Sequence, residues 1–202
     1  MNSKANQRPI RAIVIGVSAG GLHALQQILP HLPADFPRPV MVVQHRAADS
    51  HGFLAEFLDG RCAIAVKEAG MNEPLRRGVV YLAPADYHLL VENAETLALS
   101  IDPPVHYSRP AIDVLFESAA DVFRENLVAV ILTGANSDGC QGAMRVKALG
   151  GLVIVQDPAT AEVDTMPTAT LRAVSVDHIL PLEEIGPYLA GLHGSTHEPA
   201  SS

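Results

Sequence analysis

The sequence predicts an α/β protein: a doubly wound, mostly parallel sheet with helices on both faces and an added antiparallel hairpin. Three observations point to this class. The segments AIVIGV (12–17), PVMVVQ (39–44), LVAVILT (127–133) and LVIVQ (152–156) are short, rich in Val and Ile and apolar on both faces, the pattern of strands covered on both sides. Helix-like stretches follow them at 20–31, 50–59, 139–149 and 166–174, and strand–helix alternation is how a parallel sheet is wound. The chain has 202 residues, 48% of them apolar and 18% charged, enough for one domain with a substantial core.

Taken in order, the chain opens with a polar lead-in, residues 1–9, expected to be disordered and lacking the apolar core of a signal peptide. The folded domain is expected over 10–193. Its first strand runs into the glycine-lined turn GVSAGG, and its second ends at Gln44 and His45. The short alternating segments VVYLAP, HLLVE and TLALS, between 79 and 100, read as an antiparallel hairpin or meander added to the parallel sheet. IDPPVHYSRP (101–110), with its three prolines, is a loop. A helical period resumes in AIDVLFESAADVF (111–123), and the tail GSTHEPASS (194–202) is expected to be disordered. The sequence contains no internal repeat and no linker that would split it.

The formal charge of −8 disfavours nucleic acid and anionic membrane surfaces as partners. The longest apolar runs are strand-sized, so no membrane insertion is expected and a cytoplasmic location is the default. Cys62 and Cys140 are far apart and form no CxxC, which reads as a reduced, buried pair. The nine histidines show no tight ligand spacing with a carboxylate, so neither a metal nor a cofactor is expected.

Ligands of open parallel sheets bind beyond the carboxyl ends of the strands. There the sequence sets Ser18 after the first strand, His45 after the second and Asp138, within TGANSDG, after the third apolar run. A hydroxyl, an imidazole and a carboxylate form the complete set for nucleophilic acyl transfer. Each residue alone has a plainer role. Ser18 suits a helix N-cap, His45 a polar loop position, and Asp138 a D-G turn. A dinucleotide loop is disfavoured because the second strand ends in Gln44 and His45 rather than an acid that would hold a ribose. Gly16, Gly20 and Gly21 permit a tight strand-to-helix turn that pushes Ser18 outward, as in a nucleophile elbow. Backbone N–H groups at the start of the first helix, around Ala19, are candidate oxyanion donors. Asp157, after the fourth strand, is the rival carboxylate.

The residues GVSAGG, VQH, YSRPAIDVLF, ILTGANSDG and the MP of VDTMPTAT resemble, in this order from about Ile10 to about Leu192, the catalytic domain of CheB-type protein-glutamate methylesterases. The resemblance implies hydrolysis of glutamyl methyl esters on chemoreceptors or related signalling proteins, with release of methanol and, in many members, deamidation of glutamine. It implies Ser18 as nucleophile, His45 as general base and acid, and Asp138 as the group orienting His45. It also implies a methyltransferase acting in opposition. Ala135 and Ala19 stand where the chemotaxis enzymes usually carry methionine and threonine; a backbone donor at 135 survives that change. Arg109 lines a substrate groove or caps its loop, and Met166 packs against the site or in the core. The lead-in is too short for a receiver domain, so a stand-alone enzyme is expected. An esterase or amidase with another substrate, and an inactive binding module of the same fold, are the alternatives.

Overall fold

The structure, a computed structural model, describes residues 9–46 and 52–192; the expectations for residues 1–8 and 193–202 fall outside them. Seven strands form one fully parallel sheet. They are β1 (Ala12–Val17), β2 (Val40–Gln44), β3 (Ala65–Glu68), β4 (Val79–Leu82), then β7 (Leu127–Ile131), β8 (Leu152–Gln156) and β9 (His178–Leu180), in the spatial order β3-β4-β2-β1-β7-β8-β9. β5 (His88–Asn93) and β6 (Thr96–Ser100) form a separate antiparallel pair.

The period-2 alternation of side chains sorts the central strands between two cores. On one face Ile13, Ile15 and Val17 pack with helices α1 (Gly21–Ile28), α2 (Phe53–Asp59) and α6 (Leu182–Gly191), through Leu25, Leu58 and Ile185 among others. On the other face Ala12 and Val14 pack with α3 (Ile112–Phe123), α4 (Cys140–Ala148) and α5 (Thr165–Ala173), through Phe116, Val146 and Met166. The β5–β6 hairpin closes this second layer through Leu89, Val91 and Leu97, and the Val91 N–H donates to Ser118 Oγ on α3 at 3.1 Å. None of the described helices is long and apolar enough to cross a membrane.

The predicted class is present, with one rearrangement. The hairpin occupies 88–100, but Val79–Leu82 is not part of it. This segment pairs parallel with both β2 and β3 inside the main sheet. Val80, Tyr81 and Leu82 are fully or almost fully buried, so its surroundings resemble those of the central strands. The chain leaves β1 toward β2 on one side and later returns to β7 on the other. The strand order therefore reverses at β1/β7, where a crevice opens beyond the carboxyl ends.

Candidate active site

The sharp turn after β1 begins with Ser18, whose N–H donates to Thr133 O at 3.0 Å and whose carbonyl accepts from Gly21 N at 2.9 Å. Gly20 takes the left-handed conformation the turn requires, at φ 77°, where an L side chain is strained. Gly20 is also the N-cap of α1, and no side chain caps that helix. Ser18 Oγ is thus free of the capping role its position allowed. The left-handed position of the turn is occupied by the glycine, at no strain, and not by the serine.

Three strand ends converge at this point. Ser18 Oγ lies 3.1 Å from His45 Nδ1, and His45 Nε2 lies 2.7 Å from Asp138 Oδ2. His45 is fixed through its backbone, whose N–H donates to Val17 O at 3.0 Å. Its side chain is 12% exposed and that of Asp138 fully buried. Asp138 accepts four N–H groups. Oδ2 takes His45 Nε2 and Ile112 N (2.7 Å); Oδ1 takes Asp113 N and Gly139 N (both 2.9 Å). Burial pushes the Asp138 carboxyl up, but the hydrogen bond from His45 and the N–H donors of Asp113 and Ile112 outweigh it. The net direction is down, and Asp138 stays ionised. An ionised carboxylate only accepts, so the imidazole proton sits on Nε2 and the Nδ1 lone pair faces the serine hydroxyl. The hydroxyl can therefore lose its proton to a base already oriented to receive it.

Two backbone N–H groups near the serine are candidates to receive a developing negative charge. Among the described residues, the N–H groups of Ala19 and Ala135 donate to no protein acceptor. The Ala135 peptide is held close because Gly134 N–H donates to Val163 O and Gly134 O accepts from Met166 N, both at 3.0 Å. A Cβ on Gly134 would lie 2.7 Å from Met166 Cε and 3.0 Å from Ser18 Cβ. Met166 is fully buried, and its thioether packs against the loop that faces the serine.

The crevice opens on two sides. A depression of about 400 Å³ beside Ser18 is lined by Leu22, His23, Gln26, Gln44 and Glu162 as well as by the turn. Another, of about 310 Å³, lies beyond His45 and is lined by Arg46, Asp86, Tyr107 and Arg109 among others. Arg109 lines this second depression and also ties down its loop. Its Nη2 pairs with Asp86 Oδ1 at 2.6 Å, and its Nη1 donates to Ile101 O and Asp102 O. Asp157 is not in contact with His45; it accepts from Ala159 N and caps a short turn. Burial raises the thiols of Cys62, to about 11, and Cys140, and both are partly exposed rather than fully buried.

Four polar residues around the site escaped the sequence reading. Gln44 Nε2 donates to Ser18 O (3.0 Å) and His45 O (3.2 Å), clamping the turn after β1 to the end of β2. Thr133 Oγ1 donates to Ala19 O at 2.8 Å and accepts from Val163 N at 2.9 Å. The fully buried Gln156 accepts from Thr133 N at 2.9 Å. A second buried carboxylate, Asp113, accepts from Gly142 N at 2.7 Å, while its Oδ2 has no hydrogen-bond partner and lies 3.4 Å from His106 Nε2. Burial, then the Asp138 charge, raises Asp113 to about 6 against the opposing Gly142 hydrogen bond. The signal available in the sequence was a polar or acidic residue at a core-facing position of an otherwise apolar element.

Comparison with known proteins gives a consistent picture. Residues 13–189 match the family model described as CheB methylesterase. A putative protein-glutamate methylesterase/protein-glutamine glutaminase of Leptospira interrogans is 52% identical over 174 residues, covering 86% of this chain and 90% of that protein. The protein-glutamate methylesterase/protein-glutamine glutaminase of Symbiobacterium thermophilum is 44% identical over 88% of this chain, which spans 49% of that protein. The crystal structure of the Thermotoga maritima CheB methylesterase catalytic domain superposes with a TM-score of 0.87 at 38% identity, covering 91% of this chain and 98% of that one.

Proposed function

This chain belongs to the CheB methylesterase family, and from that premise we propose that it is a serine hydrolase that demethylates glutamyl methyl esters on a chemoreceptor or related signalling protein. The observation that carries the residue assignment is the continuous chain Ser18 Oγ, His45 Nδ1, His45 Nε2, Asp138 Oδ2, with its two contacts of 3.1 and 2.7 Å.

Ser18 Oγ attacks the ester carbonyl carbon while its proton passes to His45 Nδ1. The new imidazolium is stabilised by Asp138, which remains ionised. The carbonyl oxygen becomes an oxyanion, held by the N–H groups of Ala19 and Ala135; losing one such donor typically costs about 3–4 kcal/mol of transition-state stabilisation. The tetrahedral centre collapses, the C–OCH₃ bond breaks, and His45 returns the proton to the departing methoxide. Methanol leaves a glutamyl ester on Ser18. Water, deprotonated by His45, then attacks the same carbon, and the serine departs with the proton. The product is a glutamate carboxylate. A glutamine amide would follow the same steps with ammonia as the leaving group, in keeping with the second half of the relatives' names.

Met166 and Arg109 shape the two sides of the substrate groove. The enzyme acts in the cytoplasm, opposed by a methyltransferase that makes the ester it cleaves. The test is methanol release from methylated receptor fragments, run beside labelling by a fluorophosphonate. Methanol release lost in Ser18→Ala is expected. Labelling of Ser18 without methanol release would point to another ester or amide substrate. No labelling and no turnover would point to an inactive binding module.

A further inference from the structure

At the opposite end of the sheet, a cavity of about 460 Å³ is built from the segments that lead into three strands. Pro9, Ile10 and Arg11 precede β1, Pro37, Arg38 and Pro39 precede β2, and Leu75 and Arg77 precede β4; Glu95 and Phe123 complete the wall. β1 is six residues long, so the cavity lies on the order of 20 Å from the Ser18 crevice at about 3.3 Å per residue.

Three arginines, Arg11, Arg38 and Arg77, line this cavity, and none has an ion-pair partner among the described residues. Arg46, Lys67, Arg109, Arg145 and Lys147 each pair with a carboxylate, while four other described arginines are as unpaired as these; what sets the three apart is that they line one cavity. The one acid lining the cavity, Glu95, forms no ion pair either. Arg38 is fixed by donating from Nε to Ile10 O (2.9 Å) and from Nη2 to Leu192 O (2.7 Å). Its Nη1 is buried without an acceptor, an unfavourable state that a bound anion would relieve. Burial and the Arg77 charge both push the Arg38 pKa down, the sign of like charges held together. Arg11 lies over the Phe123 ring, 5.8 Å from its centroid, which restricts another guanidinium at the rim.

We propose that this cavity binds a small phosphate-bearing anion. Guanidinium forks match phosphate oxygens bidentately, and three of them from three loops offset the anion's charge as it offsets their mutual repulsion. The prolines, Ile10, Leu75 and Phe123 supply an apolar wall for an organic body attached to the phosphate. The site is independent of the hydrolytic reading, since it shares no residue with the Ser18 crevice.

Isothermal titration of the whole chain with inorganic pyrophosphate and with ADP, at low and at physiological salt, tests this. Saturable binding at a single site is expected, weakened about tenfold or more in Arg77→Ala and in Arg11→Ala, with methyl-ester hydrolysis unchanged in both. Arg38 is left intact because its backbone contacts join the two ends of the domain. Tighter ADP than pyrophosphate binding would identify an organic phosphate as the ligand; equal affinities would identify the inorganic anion. No saturable binding of either probe, binding that vanishes at physiological salt, or binding indifferent to both variants would overturn the proposal.

Discussion

Replacing Asp138 by Asn removes one charge and turns one acceptor oxygen into a donor. Four N–H groups converge on this side chain, two on each oxygen, so neither orientation of an amide satisfies them. With the amide oxygen toward Asp113 and Gly139, the NH₂ faces Ile112 N–H and His45. The imidazole can then keep a hydrogen bond only by accepting at Nε2, which moves its proton to Nδ1 and points it at Ser18 Oγ. One buried N–H, that of Ile112, is left unpaired, at about 1–3 kcal/mol. The reverse orientation preserves the tautomer but strands two N–H groups at about twice that cost, so the first prevails. The variant should therefore fold with a stability loss of about 1–3 kcal/mol and lose its base. The equivalent exchange in serine proteases lowers kcat by about 10⁴, or roughly 5–6 kcal/mol of transition-state stabilisation. Methanol release gives kcat, the rate of fluorophosphonate labelling reports the reactivity of the serine, and thermal denaturation followed by circular dichroism separates folding from chemistry. A folded Asp138→Asn protein within about tenfold of the parent kcat would refute the tautomer argument.

Ser18→Ala should abolish methanol release while leaving the thermal midpoint nearly unchanged, because the hydroxyl caps no helix and surface changes away from such features lie within about 0.5 kcal/mol; turnover at the parent rate would remove Ser18 from the mechanism. Asp157→Asn should leave kcat near the parent value, since Asn caps a turn as well as Asp does; a loss matching that of Asp138→Asn would make Asp157 the orienting carboxylate after all. Asp113, raised to about 6, binds its proton more tightly folded than unfolded, so its burial costs nothing below its unfolded value near 4 and destabilises increasingly as pH rises toward 6, by at most about 3 kcal/mol. Asp113→Asn keeps an acceptor for Gly142 N–H and should raise the melting temperature at about pH 7–8 but change it little near pH 4; parallel melting curves of parent and variant across that range would contradict this reading.

Local patterning was enough to reveal the centre of the sheet. In β1, β2, β7 and β8 nearly every residue is apolar and buried, so each strand is legible without knowing its neighbours. Their carboxyl ends brought Ser18, His45 and Asp138 under suspicion for the same reason. The periphery carries weaker signals. β3, Ala65–Glu68, alternates exposed and buried residues at the sheet edge; β9 has three residues; and α6 contains Pro187. Whether Val79–Leu82 joined the hairpin or the sheet depended on which strands lay beside it, and that information is not local. The same limit applied at the site. Sequence supplied a serine suited equally to capping and to catalysis. Only the folded chain set its hydroxyl against an imidazole whose tautomer is fixed by a carboxylate holding four N–H donors. Hydrophobic periodicity is written residue by residue, whereas hydrogen-bond direction, desolvation and charge proximity are sums over groups far apart in the chain, and these exist only once the strands have been brought together.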